Sequence, residues 1–220
     1  MASPLARLNV RADAWELLWS FAHRVLAVNA LLAVAGVPLM LAFGAVDAPW
    51  RYPFFFGLLA LPLGPAMAAA FGYFGIEDPR PSLLQLVWSR GRRALVVALV
   101  TVSLTGVLVA DLKLLVRSLP GAALVPLLVV LLALLLNTAL TALVLVGIDP
   151  ALTPRALLRL AVYTGVRRWP LSLLSLGVLA AALVIVSQVP LAGLATVPGC
   201  ALWVVSTNSS FQLRHLYPPR

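Results

Sequence analysis

Acidic residues are scarce in this chain of 220 residues, which has seven Asp and Glu against sixteen Lys and Arg. Cysteine is scarcer still, since Cys200 stands alone and cannot form a disulfide within the chain. The few charged residues lie in short gaps between apolar blocks, whereas nucleic-acid-binding proteins gather basic residues on a solvated face of a soluble domain. We therefore expect no nucleic-acid partner, although the formal net charge is +9.

Hydrophobic residues dominate the composition, at 62% of the chain and a mean hydropathy of +1.03. A helix needs about 20 apolar residues to cross a hydrocarbon core of about 30 Å. The apolar blocks therefore predict an all-α, polytopic membrane protein, built as a single domain with six transmembrane helices. The predicted spans are residues 25–46, 53–74, 94–110 and 122–147, and two more after Pro170 that divide near Gln188 and Pro190.

The placement of the basic residues predicts how these spans are oriented, because cytoplasmic loops carry an excess of Lys and Arg. With six spans, thirteen basic residues fall on one side and only Arg51, Lys113 and Arg117 on the other. This bias predicts a bacterial inner-membrane protein with both termini in the cytoplasm. Arg90, Arg92 and Arg93 would hold the start of the third span at the anionic inner leaflet.

Three stretches on the predicted inner side resemble one another, which indicates a repeat. Each places an aromatic residue five positions before an arginine that opens an apolar span, and the three aromatic residues are 69 and 75 residues apart. We interpret them as three units, residues 9–76, 77–150 and 151–216, each a short inner helix followed by a transmembrane hairpin. The pairs are Trp19 with Arg24, Trp88 with Arg93, and Tyr163 with Arg168.

The inner helices are predicted to be amphipathic and to lie in the headgroup plane. Asp78 before Pro79 and Thr153 before Pro154 have the pattern of helix N-caps. An alternative is that these helices only extend the membrane helices into the cytosol. In either arrangement the three pairs, together with Arg92 and Arg167, are candidates for contact with inner-leaflet lipid or with a partner.

Neutral polar and helix-breaking residues are the candidates for function inside the bilayer. Asn29 and Asn137 can form hydrogen bonds between helices or line the path of a solute. Gly64 and Pro65 lie in the middle of the second predicted span, where proline kinks a helix, and broken helices mark the substrate sites of many transporters. The sequence leaves both interpretations open.

Motifs that would indicate catalysis are lacking in the sequence. It has no Gly-x-Ser-x-Gly elbow, phosphate-binding loop or Gly-x-Gly-x-x-Gly pattern. His23 and His215 have no Cys, Asp or Glu at ligand spacing. We therefore expect no enzyme activity, no cofactor and no bound metal.

Three segments carry a resemblance to a known family. The runs NALLAVAGVPLM from Asn29, GPAMAAAFGYF from Gly64 and WSRGRRAL from Trp88 resemble the YesL-type bacterial integral membrane proteins, a family of unknown function. The resemblance covers roughly residues 9–216 and is strongest over 25–100, although the family usually carries more charge, including lysine, in its inner helices. It implies a genomic association with carbohydrate uptake systems.

These observations lead to two functional hypotheses. The first is a non-enzymatic accessory or assembly factor that contacts the subunits of a carbohydrate transport system through its basic inner helices. The second is a small solute transporter or channel in its own right, with Asn29, Gly64, Pro65 and Asn137 around its path. A permease subunit driven by an ATPase is a weaker third, because the inner loops lack the Glu-Ala-Ala sequence of such permeases.

Overall fold

A computed structural model describes residues 4–75, 81–116 and 123–213, and in these ranges the chain is helical with no β-strand. The all-α class is thereby confirmed. Besides a short 3-10 helix at Pro49–Arg51, the described residues form eight α-helices. They are α1 Pro4–Ala45, α2 Pro53–Ala60, α3 Leu63–Gly75, α4 Leu83–Leu115, α5 Val125–Ile148, α6 Pro154–Arg167, α7 Trp169–Gln188 and α8 Pro190–Leu213.

Five stretches of the described chain are long and apolar enough to cross a membrane, so this is a membrane protein. They are Ala14–Ala45, Pro53–Gly75, Leu83–Leu115, Val125–Ile148 and Trp169–Gln188. The predicted break before Pro190 is confirmed, because α7 ends at Gln188 and α8 begins at Pro190. Whether α8 is the sixth span stays a prediction.

The expectation of a separate inner helix before every hairpin is wrong for the first two units. Helix α1 runs without interruption from Pro4 to Ala45, and α4 runs from Leu83 to Leu115. Both stretches, before the first span and before the third, are rich in Ala, Leu, Val and Arg, and no proline interrupts them, so the helix continues into the span. The alternative of extended membrane helices is the one observed there.

Helix α4 begins later than the proline pattern predicts. Ser82 is its N-cap and forms a capping box with Gln85, in which each side chain bonds the backbone N–H of the other. The expected cap at Asp78 lies outside the described residues. The cap predicted at Thr153 is confirmed, because its hydroxyl accepts a hydrogen bond from the N–H of Ala156 at 3.4 Å.

The third unit does have a separate inner helix, α6, but it packs on a membrane helix. Ala161 is fully buried against Ala142 and Leu145 of α5, and Gly165 lies against Asn137 farther back along α5. Helix α6 therefore runs antiparallel along α5. Its buried face consists of small residues, which permit this close approach.

The second predicted span is broken in its middle. Helix α2 ends at Ala60 and α3 begins at Leu63, so the break lies at Leu61 and Pro62. A proline ring displaces the carbonyl four residues earlier, which for Pro65 is the carbonyl of Leu61. The break therefore lies one turn before Gly64 and Pro65, where a kink caused by Pro65 is expected.

Helix α3 occupies the middle of the bundle. It packs against α1, α4, α5 and α8, and its small residues Ala66, Ala68, Ala69 and Ala70 are buried with exposures of 2% or less. Phe71 of the same helix is fully buried and belongs to the main hydrophobic cluster. Side chains this short allow neighbouring backbones to come close, which is how helices gain contact in a membrane.

Candidate functional site

Asn29 joins α1 to α8. Its side-chain nitrogen donates to the carbonyl of Ala195 at 2.6 Å, and its side-chain oxygen accepts from the N–H of Gly199 at 2.5 Å. In a regular helix these two backbone groups are partners, since they are four residues apart. The amide of Asn29 thus satisfies both of them, and it is buried, with an exposure of 2%.

A proline lies beside the backbone groups that Asn29 binds. Pro198 lies inside α8, and a proline there removes one backbone donor and displaces the carbonyl four residues earlier. The next residue is Gly199, and α1 leaves no room for a side chain there. A Cβ on Gly199 would lie 2.8 Å from the carbonyl oxygen of Val25. Phe21 and Trp203 extend the same contact with ring centroids 5.1 Å apart. The adjacent Pro198 and Gly199 in an apolar segment were the sequence signal for such a partner.

Gly64 lies where α3 meets α4. A Cβ on this glycine would lie 2.5 Å from the Cβ of Ala98 and 3.2 Å from the carbonyl oxygen of Ala94. Pro65 is half-buried and packs near Gly91 of the same helix α4. Both residues therefore take part in the packing of α3 on α4.

Asn137 lies where α5 meets α6. It is buried, with an exposure of 5%, and its side-chain nitrogen is so close to Gly165 that a Cβ there would collide with it. The hydroxyl of Thr141 donates to the backbone carbonyl of Asn137 at 3.0 Å, within α5. Asn29, Gly64 with Pro65, and Asn137 thus lie at three different helix interfaces. The structure does not bring them together.

Arg90 is a buried residue that sequence reasoning assigned to the inner surface. Its exposure is 8%, because it shares one face of α4 with the buried Leu86, Ala94 and Ala98. Its guanidinium packs against Gly72 in the last turn of α3, close to the carbonyl of Gly147 near the end of α5. Carbonyl groups at helix C-termini carry partial negative charge, which favours a cation there. Nη1 of Arg90 nevertheless has no hydrogen-bond partner among the described residues.

Trp88 and Arg92 share an exposed face of α4. Trp88 has an exposure of 85%, and Arg92, one helical turn later on the same side, is exposed as well. Arg93 is fixed: its guanidinium donates to the carbonyl of Pro150 and, at 3.2 Å, to that of Leu152. The start of α4 is thereby tied to the connection between α5 and α6.

The aromatic residue and the arginine of each predicted pair are five positions apart. Residues five apart on a helix point about 140° away from each other. Tyr163 contacts Arg167 instead, four residues on, which donates to its hydroxyl and lies 5.6 Å from its ring centroid. Arg168 lies 5.5 Å from the ring centroid of Phe211 and donates to its carbonyl at 3.4 Å.

The first pair is separated as well. Trp19 is exposed, with 70% of its surface accessible. Arg24 is half-buried, and its Nε has no hydrogen-bond partner among the described residues. Both residues lie in the long helix α1, before the buried Val28 and Asn29.

Apolar side chains dominate the linings of three cavities between helices in the described part of the chain. One of 260 Å³ lies between α1, α3, α7 and α8, and one of 570 Å³ lies between α5 and α7. The third, of 460 Å³, lies between α2 and α4 and has Arg51 and Lys113 at its rim. Asn29, Gly64, Pro65 and Asn137 line none of these three cavities.

The described residues contain no group of three or more His, Cys, Asp or Glu side chains able to hold a metal ion. The chemistry that the described side chains offer is hydrogen bonding between helices and cationic, aromatic contact at exposed helix ends. No protein-family model matches this chain, and neither does any curated protein or solved structure.

Proposed function

We propose that the protein is a non-enzymatic accessory or assembly factor of a bacterial inner membrane, which contacts a transport system through its inner surface. The observation that supports this most is the exposed pair Trp88 and Arg92 on a helix end that Arg93 holds in place. Tryptophan and arginine are enriched among the residues that dominate binding energy at protein interfaces. A fixed backbone lowers the entropy cost of binding through them.

The transporter hypothesis requires Asn29, Gly64, Pro65 and Asn137 to surround a common path. Asn29 already uses both ends of its amide on the backbone of α8, and Gly64 is in contact with Ala94 and Ala98. These residues therefore have packing roles, which favours the accessory hypothesis. The link to carbohydrate uptake is the part of the proposal that rests on the YesL resemblance alone.

The proposal includes six spans with both termini in the cytoplasm, α8 being the sixth span. Its support is the packing of α8 against α1. Trp203 contacts Phe21 and Ala195 contacts Asn29, so the two helices are antiparallel. The C-terminal end of α8 then lies beside the N-terminal part of α1. Exposed arginines at that side would also contact anionic inner-leaflet lipid.

The experiment that tests this function is affinity purification of the tagged protein from its native membrane in mild detergent, followed by mass spectrometry. We expect subunits of a transport system to be recovered with the wild type. Trp88→Ala and Arg92→Gln should each reduce their recovery about tenfold or more, as expected for residues central to an interface. Both side chains are exposed, so the fold itself should not change.

Arg51→Gln is the matched control, because Arg51 is exposed and lies at the other end of the bundle, beside α2. It should leave recovery unchanged, and all variants should insert at wild-type levels. A protein that purifies without transport subunits, or that carries a solute across liposomes on its own, would contradict the accessory function.

A further inference from the structure

The largest of the three cavities forms a groove between two spans. We name it the α5–α7 groove: residues from Val129 to Leu143 of α5 line one side, residues from Leu176 to Leu183 of α7 line the other, and Met67 and Thr101 close it. Thr101 is the one polar residue of this lining, and its hydroxyl donates to the carbonyl of Val97 in its own helix at 2.7 Å. The groove therefore offers an occupant no hydrogen-bonding group that lacks a partner.

The dimensions of the groove distinguish between possible occupants. Leu143 lies fourteen positions after Val129, which corresponds to about 21 Å along a helix. Spread over this length, 570 Å³ gives a mean cross-section of about 27 Å². The groove is open along one side, and a partner's helix about 10 Å across, with a cross-section of roughly 80 Å², would lie mostly outside it and leave its floor unfilled. A single extended hydrocarbon chain is thin enough.

The groove cannot stay empty without cost. Apolar side chains that face a void lose their dispersion contacts, and water finds no polar partner in such a space. A much smaller apolar cavity of about 150 Å³ already binds benzene. Since α5 and α7 both belong to the candidate membrane spans, the apolar molecules around the groove are lipids.

We propose that the α5–α7 groove binds one acyl chain of a bilayer phospholipid. The acyl chain fills the space between the two helices. Through it, α7, which otherwise packs chiefly on α8, is in continuous contact with α5. The smaller cavity lies on the other side of Leu179 and Leu183, so α7 lacks close packing on both flanks. This inference does not depend on the proposed accessory function.

Native mass spectrometry of the protein, transferred from phospholipid nanodiscs into detergent micelles, tests the proposal. We expect a phospholipid to remain bound to the wild type after detergent adducts are lost. Ala180→Phe places a ring in the groove and should reduce the retained phospholipid about tenfold. Ala181→Phe adds the same ring to the neighbouring exposed residue, which does not line the groove, and should leave retention unchanged.

Retention of phospholipid by Ala180→Phe at the wild-type level would overturn the proposal. So would a wild type that keeps only detergent or only a free fatty acid. Thermal unfolding of both variants checks that they fold: added phospholipid should raise the Tm of the wild type and of Ala181→Phe by several degrees, and that of Ala180→Phe by less.

A second measurement uses the unmodified protein and a phospholipid that carries a photoreactive diazirine in its acyl chain. Crosslinked peptides should map to residues 129–143 and 176–183 in preference to the exposed, lipid-facing residues of α4. Uniform labelling of all apolar helix faces would show that the groove holds no chain of its own and would overturn the proposal.

Discussion

At the scale of residues, this protein uses its buried polar side chains to join helices that are distant in sequence. Asn29 bonds to a carbonyl and an N–H about 170 residues away. Asn208, on the other side of α8, joins that helix to the preceding α7, where its nitrogen donates to the carbonyl of Leu171 and the hydroxyl of Ser175, both at 2.7 Å. In lipid these bonds are valuable because no water can replace them.

Asn29→Ala should lower the stability of the bundle by about 1–2 kcal/mol, because it leaves the carbonyl of Ala195 and the N–H of Gly199 without their side-chain partner. Reversible unfolding in mixed micelles measures this change. Thr196→Ala is the control, since that exposed hydroxyl bonds the carbonyl of Ala192 within α8. Equal stability of the two variants would show that Asn29 does not hold α1 to α8.

Gly72→Ala should destabilise the protein by about 1–3 kcal/mol, as overpacking of a filled core does. Its Cβ would collide with Nη1 of Arg90 and lie 2.7 Å from the carbonyl oxygen of Gly147. Gly106→Ala in α4 is the matched control, because a Cβ there meets nothing within 4 Å. It should be neutral or stabilising by up to about 1 kcal/mol. The same unfolding assay compares them, and a wild-type midpoint for Gly72→Ala would contradict the close packing of Gly72 against Arg90 and Gly147.

At the scale of elements, the ends of the helices decide how neighbouring segments connect. Ser82 and Gln85 start α4 with a capping box, and Thr153 starts α6. Between them, Asp149 accepts a bond from the N–H of Ala151 at 2.9 Å and so orders the turn after α5. Arg93 then links the two regions through carbonyls of that same turn.

Arg93→Gln should loosen the connection between α5 and α6, because the carbonyls of Pro150 and Leu152 lose their charged donor. Hydrogen–deuterium exchange over residues 149–157 should rise several-fold. Arg92→Gln removes the same charge from the adjacent exposed position and should not change that exchange. If both variants exchange alike, Arg93 acts through charge and not through these two bonds.

At the scale of the whole molecule, α3 is the central helix and α7 with α8 forms a hairpin attached mainly through α8. The close packing of α8 on α1 and α3 contrasts with the apolar spaces on both sides of α7. The number of spans depends on this hairpin, because α7 alone would leave the chain's ends on opposite sides of the membrane.

Reporter fusions at the two ends of the chain should therefore report the same side of the membrane. Because α8 packs antiparallel to α1, we expect both ends to lie in the cytoplasm. Green fluorescent protein fused to either end should then fluoresce, and alkaline phosphatase fused to either end should be inactive, since its disulfides form only in the periplasm. A third fusion within residues 46–52, between α1 and α2, should report the opposite side. Opposite sides for the two ends would mean five spans and would exclude α8 as a span.

The all-helical class, the membrane location, the break before Pro190 and the cap at Thr153 followed from the sequence alone. They depend on apolar length, on proline's missing N–H and on side chains within a few residues, which are local properties. Tertiary structure decided that Arg90 is buried while Arg92 is exposed, that Asn29 bonds α8, and that α6 lies along α5. Those outcomes depend on which helix faces meet and at what register, and contacts between residues far apart in the chain set both.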